Sequence, residues 1–472
     1  MIRNEPGVVI IGGGPAGLAA GYELGRKGVP AVCLEESDEV GGISRTVLRN
    51  GYRFDLGGHR FFTKSDMVND LWREVLGDDF LRRPRRSRIY YRNRFFAYPV
   101  KAMDALRGLG VFESGLIVAQ YLFRKCFPRK DVSNFENWNV NLFGDRLYKH
   151  FFKTYTEKVW GIPCSRIASE WGAQRIKGLS LFSTIKSAII KPPAGQIKTL
   201  IDEFDYPRLG PGQMYNAMAA RVEAMAVPVL LNHKVIRLER DKNSISAVVA
   251  QTPAGERRFP ATAVISSMPF TELATALSPA LSPRVKEACR RLSYRSLLTV
   301  NLMIDASETI PDTWIYLHEP TLRMGRVQCF KNWSPSMVPD PAKSSLGCEY
   351  FVSEGDDLWT TPDDQLVQLA KKELAALGIV DVRKVFDGFV VRVPKAYPVA
   401  DLEYARRVAE IRAEMDGIRN LQPVGRYGMF RYNNMDHSIL TGMLAAKNVM
   451  GAHYDIWKVN ADAEYHEEVK TK

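Results

Sequence analysis

The stretch Val8-Val9-Ile10-Ile11-Gly12-Gly13-Gly14-Pro15-Ala16-Gly17 carries four branched apolar residues straight into a G-x-G-x-x-G run. Unbroken apolar residues without alternation read as a strand buried on both faces. Beyond the run, Pro15 to Lys27 reads as a helix with one small-residue face, and Ala31 to Leu34 as a second strand. Together they make one βαβ half-unit of a parallel sheet. Each glycine then has a task. Gly12 makes the tight turn, Gly14 lets a pyrophosphate approach the backbone, and Gly17 lets the helix pack closely on the strand. The helix start, with Pro15 and Ala16 in its first turn, offers free N–H groups and partial positive charge to that anion. Glu35 ends the second strand, where a carboxylate accepts hydrogen bonds from ribose hydroxyls. These features together predict a dinucleotide site. A bare glycine turn would leave Glu35 unexplained.

Outward from this unit, Asp66 to Leu76 reads as a helix and Ile89 to Phe96 as paired strands. From Met103 to about Leu200 the pattern is mostly helical, broken at Pro128, Gly144, Gly161-Ile162-Pro163 and Pro192-Pro193. Strands are expected over Val229 to Leu238, Ser246 to Gln251, Arg257 to Ser266, Leu297 to Ile304, Trp314 to Leu317, Arg326 to Phe330, Leu346 to Val352 and Phe386 to Val393. Helices are expected over Met214 to Met225, Val285 to Arg291, Asp364 to Leu377 and Leu402 to Met415. Leu421 to Val424 and Leu440 to Met450 read as a closing strand and helix, partners of the opening unit. The fold class is therefore α/β, with α+β character in the substrate region: a Rossmann-like nucleotide domain with an interleaved β-rich domain and a helical domain. The expected division is a discontinuous nucleotide domain from 1-85, 205-295 and 400-472. A helical substrate or lid domain follows from 101-204, and a β-rich substrate domain from 86-100 and 296-399.

With 472 residues, 46% hydrophobic and 25% charged, the chain has enough apolar material for two or three cores. The net charge of +12 suits an anionic ligand or surface. Its densest basic run, Arg82-Arg83-Pro84-Arg85-Arg86-Ser87-Arg88 with Arg92 and Arg94, reads either as a solvated edge or as a peripheral membrane contact. Leu179 to Lys191 reads as a lid helix or a second membrane-surface segment. No helix-turn-helix, zinc-finger or RNA-binding signature is present, so nucleic acid is not an expected partner. The six cysteines, at 33, 126, 164, 289, 329 and 348, form no Cys-x-x-Cys pair, which argues against zinc and against a disulfide framework. A reducing cytoplasm, with membrane association left open, is the expected location.

Further motifs narrow the cofactor and the chemistry. Gly41-Gly42 with Ser44-Arg45-Thr46, the piece Val264-Ile-Ser-Ser-Met-Pro269 and the closing Pro423-Val424-Gly425-Arg426-Tyr427-Gly428 resemble the flavin motifs of the FAD-dependent amine-oxidase superfamily. Phe54-Asp55-Leu56-Gly57-Gly58-His59, the run Phe152 to Gly161, Arg326 to Lys331 and Ala396-Tyr397-Pro398-Val399 come in the order of the UDP-galactopyranose mutases, which the chain resembles along nearly its whole length. The resemblance implies FAD, active as FADH2 with NAD(P)H as a candidate reductant. It implies pyranose/furanose isomerisation of a nucleotide-diphosphate sugar, with N5 of the reduced flavin as nucleophile. It places Gly12, Gly14, Pro15, Ala16, Gly17, Glu35, Glu36, Gly41, Gly42, Ser44, Gly57, Gly58, Val235, Ser267, Gly425, Asn434 and Met435 at the cofactor, with Arg426 on its diphosphate and His59 beside the ring near N5.

By the same resemblance Arg175 and Arg326 clamp the substrate diphosphate, Tyr397 and Tyr432 donate hydroxyls to it, Trp160 stacks at the nucleotide end and Glu349 is a polar pocket residue. Each has a plainer reading. His59 could support the site from behind, Trp160 could be core, Arg175 a surface charge, Glu349 the structural partner of Arg326, and Tyr397 a turn residue before Pro398. The chain departs from the family at Asn434, where the family has aspartate, and Asp436-His437 is expected to restore a titratable group. Two other functions stay open. One is an FAD-dependent oxidoreductase of the amine oxidase, protoporphyrinogen oxidase or desaturase type, performing net redox on an amine or apolar substrate. The other is a non-catalytic flavin-bound partner.

Overall fold

The computed structural model describes residues 7–98, 100, 102–176 and 203–461. Its larger sheet grows from the opening βαβ unit. Gly7–Ile11 pairs in parallel with Ala31–Leu34 on one side and with the end of Gly255–Ser266 on the other. Leu421–Pro423 and Val229–Leu230 extend the parallel region at its two flanks. Such a sheet is covered on both faces and needs apolar residues throughout. Val8 and Ile10 accordingly join a core with Ala16, Ala20, Leu24 and Ala445, while Val9 and Ile11 join another with Val264, Phe270, Leu273 and Ile411. The first half of Gly255–Ser266 turns antiparallel, against Ile245–Thr252 and then Lys234–Arg240.

The second sheet has seven strands. Tyr294–Ile304 lies between Ser344–Val352 and Val385–Pro398, antiparallel to both. Arg326–Gln328, Trp314–Leu317 and the hairpin Ser87–Tyr91/Arg94–Ala97 continue it. Helix Asp363–Leu377 lays Leu366, Ala370 and Leu374 on Leu298, Val300 and Leu302 of that sheet. The helical region carries Val111–Cys126, Phe135–Phe143 and Thr154–Trp160, the last preceded by a wide π turn over Lys149–Lys153. Lys158 ties it to the second sheet by donating to the carbonyls of Leu317, Glu319 and Met324 at 3.0–3.1 Å. Burial lowers this ammonium to about 8, and three carbonyl acceptors offset the cost of its desolvation.

Several expected elements differ. The strand expected over Arg326 to Phe330 stops at Gln328, and Phe330–Trp333 coils into a helical turn. Lys331 there reaches the carbonyls of Ser307, Pro341 and Lys343. The strand expected over Val229 to Leu238 is split, because Asn232, at φ +56°, turns the chain between Val229–Leu230 and Lys234–Arg240. The last helix begins at Met435 rather than Leu440, since Asn434 and His437 cap it reciprocally. Half of the basic run also departs from a solvated edge. Phe80–Pro84 pairs with Glu203–Pro207, Arg83 donates to the carbonyl of Asn332 at 2.8 Å, and Arg88 forks onto Asp312. Leu179 to Lys191 lies outside the described residues.

The glycine loop depends on contact distances that no side chain would allow. A Cβ on Gly17 would stand 1.8 Å from the carbonyl oxygen of Gly12, and one on Gly442 would stand 2.0 Å from that of Ala16. Gly17→Ala should therefore cost roughly 1–3 kcal/mol by overpacking. Purified variant should melt lower than wild type and retain less flavin by absorbance. Wild-type flavin content would contradict the packing argument.

Candidate active site

Three adjoining cavities run from the glycine loop into the helical region. The first, about 390 Å3, is a slot walled by Gly12, Gly14, Pro15, Ala16, Glu35, Glu36, Gly42, Ser44, Val235, Ser267, Gly425 and Arg426. At one end Glu35 accepts from the Gly13 N–H at 2.6 Å and from the Ser37 N–H and hydroxyl at 2.9 and 2.5 Å. A carboxylate has about four acceptor positions, so three bonds leave it capacity toward the slot it lines. Gly14 and Gly42 face each other with room to spare, a Cβ on either staying 3.5 Å or more from the other. Gly41 and Gly17 are not on the slot wall. Gly41 is left-handed at φ +101°, where it turns the chain into that wall.

The middle cavity, about 110 Å3, is lined by Gly57, Gly58, His59, Arg60, Arg326, Tyr397, Arg426, Tyr432, Asn434 and Met435. It shares His59, Arg426, Asn434 and Met435 with the slot. His59 is a neutral imidazole. Burial, then the charges of Arg426 and Arg326, push it down to about 3. Its Nδ1 is buried with no hydrogen-bond partner among the described residues. Arg426 donates to the carbonyls of Asn433 and Ala396. Its guanidinium lies 4.6 Å from the ring centre of Tyr432 and 5.5 Å from that of Tyr397, so it faces the two tyrosines. Those rings stack on each other at 5.7 Å and 13°.

The third cavity, about 340 Å3, is mostly aromatic. Phe135, Phe151, Phe152, Tyr155, Trp160, Trp171, Tyr316 and Phe351 wall it, with Arg60, Arg326, Tyr397, Tyr432 and Asn434 at its junction with the middle cavity. Phe151 and Phe152 come from the π turn. Arg326 is fixed by Glu349 through a fork, Nε to Oε1 at 3.0 Å and Nη2 to Oε2 at 2.5 Å, and Gln328 donates to the same carboxylate at 2.7 Å. The pair forms because Arg326 and Glu349 are direct cross-strand neighbours. Burial opposes the guanidinium's charge, and Glu349 more than restores it, leaving its pKa well above the ordinary value.

The structure thus brings together His59, Trp160, Arg326, Tyr397, Tyr432 and Arg426. Glu349 sits behind Arg326, 1% exposed, and forms no part of the cavity walls. Asp436 is likewise buried away from the cavities, while His437 reaches the aromatic one. The side chain of Arg175, on the last turn of Ser169–Ile176, lies outside the described residues. Four of the wall residues that escaped the sequence reading stand out. Arg60 lines both inner cavities with its guanidinium over Trp314 at 5.2 Å, and its position directly after His59 was a usable signal. Tyr155 and His318 stack at 4.8 Å and 9°. Lys395, at φ +53°, lines the slot and pairs with Glu272.

The family profile described as flavin containing amine oxidoreductase matches residues 15–450. The chain belongs to this family. Among curated members, a phytoene desaturase (neurosporene-forming) of Rhodobacter capsulatus is 37% identical over 83 residues, 17% of this chain and 16% of that protein. An L-amino-acid oxidase of Bungarus fasciatus is 24% identical over 320 residues, 63% of this chain and 58% of that protein. The matches thus span less than two thirds of either relative. Among solved structures, reduced UDP-galactopyranose mutase superposes with a TM-score of 0.84 at 21% identity, covering 97% of this chain and 98% of that one. Putrescine oxidase bound to putrescine gives 0.62 at 15% identity, covering 95% and 99%. At these identities the likeness is one of fold, the α/β flavin-binding fold.

The residues present fit this family's flavin as a dinucleotide. The slot joins a helix N-terminus and the Glu35 carboxylate to His59, whose Nδ1 has no partner among the described residues, and these are donors and acceptors of the kinds a flavin dinucleotide would use. Asp55 ends the strand that leads into Gly57-Gly58-His59 and accepts from the Tyr206 hydroxyl and from Thr46 Oγ1, the latter at 2.8 Å. Thr46 Oγ1 in turn accepts from the Gly212 N–H at 3.0 Å. Burial raises Asp55 from 3.8 to about 7. The folded state then binds the extra proton between those values, so this group's stabilising contribution is fully present below about pH 4, declines above it and is gone once pH has risen through 7. Asp55→Asn should remove that slope. Relative to wild type, the variant's stability should rise from pH 5 to pH 8 by on the order of a few kcal/mol, as read by denaturant midpoints. Parallel curves would show that Asp55 is ionised throughout.

Proposed function

We propose that the chain is an FAD-dependent enzyme acting on a nucleotide-diphosphate sugar, with pyranose/furanose isomerisation as its reaction. The observation that carries this reading is the guanidinium of Arg326, held at the junction of the middle and aromatic cavities by Glu349. Taking such a group out of water is costly. The fork uses Nε and Nη2, which leaves Nη1 to donate to a phosphate oxygen. Arg60 adds a second guanidinium on the same walls, and Tyr397 and Tyr432 add two hydroxyls. Trp160, Tyr155 and His318 offer flat faces for a base.

Bound flavin, in reduced form, supplies a nucleophilic ring nitrogen for the anomeric carbon. The chain's own residues do the rest. As the bond from sugar to diphosphate lengthens, negative charge grows on the phosphate, and fixed cations at Arg326 and Arg60 stabilise it without reorganising. His59, kept neutral by burial and by the nearby arginines, would offer a ring nitrogen to the bound flavin as a fixed hydrogen-bonding group rather than trade protons with bulk water. The aromatic walls exclude water from the exposed anomeric centre.

The family's oxidoreductase members favour a second reading, net oxidation of an amine or apolar substrate, and the aromatic lining of the third cavity supports it. The two separate experimentally. Enzyme reduced with dithionite should interconvert pyranose and furanose forms of a UDP-, dTDP- or GDP-sugar, and oxidised enzyme should not. Peroxide release from an amine with no interconversion would establish the second reading instead. Arg326→Lys keeps the charge and the Glu349 pair but loses the fork. It should weaken binding of a bare nucleoside diphosphate by about tenfold with flavin content unchanged, measured calorimetrically. Arg60→Ala should also weaken it. Unchanged affinity in both variants would remove the diphosphate from this site.

A further inference from the structure

Helix Val111–Cys126 is apolar on both sides. Its inner face is buried through Ile117 and Tyr121, which join Ile89, Phe96, Phe143 and Phe151 in a core. Its outer face has no protein against it among the described residues. Val111 is 91% exposed, Phe112 81%, Leu122 57% and Phe123 54%, and the loop beyond adds Phe127 at 63% and Val132 at 46%. Exposed Gly115, Ala119 and Cys126 fall between them. Positions 111, 112, 115, 119, 122, 123 and 126 follow the helical repeat, so they form one stripe along a rod roughly 24 Å long. No other surface of the described chain gathers large exposed apolar residues in this way. Single exposed apolar residues are ordinary, but a contiguous stripe marks an interaction surface.

The charges around the stripe indicate what covers it. Lys125 and Lys130 are exposed, and Lys125 lies over the ring of Tyr121 at 5.3 Å, its stem along the apolar surface. The local acids are mostly neutralised. Asp145 is held by Arg124 at 2.6 Å and Arg129 at 2.9 Å, and Glu113 by Arg146 at 2.6 Å and His150 at 2.8 Å. Asp131 remains exposed and bonds Ser133. No helix is long and apolar enough to cross a membrane among the described residues. The basic run at 82–94, the alternative membrane contact, is largely occupied: Arg82 pairs with Glu203, Arg83 with a carbonyl, Arg88 with Asp312, and Arg94 donates to the carbonyl of Gly108.

We infer that the outer face of Val111–Cys126, with Phe127, is a docking surface for an anionic lipid bilayer, lying in the headgroup plane with its aromatic rings in the acyl region and its lysines at the phosphates. The same bundle walls the aromatic cavity through Phe135, Phe151 and Trp160, so docking would hold that part of the molecule at the lipid surface.

Flavin-loaded protein should co-sediment with vesicles of phosphatidylglycerol and phosphatidylcholine, much less with phosphatidylcholine alone, and less again in high salt. The triple variant Phe112→Ser, Phe123→Ser, Phe127→Ser should bind the anionic vesicles at least about tenfold more weakly with unchanged flavin absorbance and melting temperature. Lys125→Glu with Lys130→Glu should lose the preference for anionic lipid. Wild-type protein that stays in the supernatant, or a serine variant that binds as well as wild type, would overturn the inference. So would a monomer–dimer equilibrium, seen by sedimentation velocity and abolished by the serines without vesicle binding, because the stripe would then face a second copy.

Discussion

The backbone-to-backbone approach at the start of the molecule sets everything else. Helix Pro15–Arg26 can lie on its strand, and Met435–Val449 can lie on that helix, only because Gly17 and Gly442 offer hydrogens where any side chain would overlap a carbonyl. That closeness brings three chain segments, hundreds of residues apart, to one helix N-terminus. It also fixes where the slot ends, because Asn434 caps Met435–Val449 at the wall the slot shares with the middle cavity. The inner cavities are then positioned by the second sheet, whose cross-strand pairing makes Arg326 and Glu349 neighbours.

Buried polarity in this molecule divides into two kinds. Lys158, Arg295 and Lys331 are satisfied mainly by backbone carbonyls and act as struts. Arg326, Arg426 and His59 are only partly satisfied, and all three face cavities. A half-paired polar group is expensive inside a protein, so its survival next to open space marks the region where chemistry is expected. Lys158 shows how the two kinds mix in a single motif. It stands in the Tyr-Thr-x-Lys-x-Trp-Gly piece with Tyr155 and Trp160, yet it holds the helix down while the two rings line the cavity.

Much of this was legible in the sequence because it rests on local rules. The βαβ unit declares itself through glycine spacing and an unbroken apolar strand, and the two sheets through runs of branched residues with turn residues between. What escaped depends on distant partners. Nothing near Phe80 announces Glu203–Pro207 as its strand partner, a pairing that takes in Arg82 and Arg83 of the arginine run, nor Asn332 and Asp312 as the partners of Arg83 and Arg88. The start of the last helix was missed because His437, an unusual capping residue, replaces the expected glutamate or glutamine. Glu349 reads from the sequence either as a pocket residue or as the structural partner of Arg326, and the two readings separate only once the register shows the carboxylate behind the guanidinium.

The slot is assembled from residues 11–44, His59, 233–235, 267–272, Glu354, 394–395 and 425–438, with no contiguous fragment supplying more than part of its wall. During synthesis on the ribosome the βαβ unit emerges before its parallel neighbour at 261–266 and well before the helix that closes over it. Until those segments are made, the nascent protein carries a bare sheet edge and an open cleft. A dinucleotide can be enclosed only after residues 425–438 have been made, and whatever then binds the folded chain stabilises it by mass action.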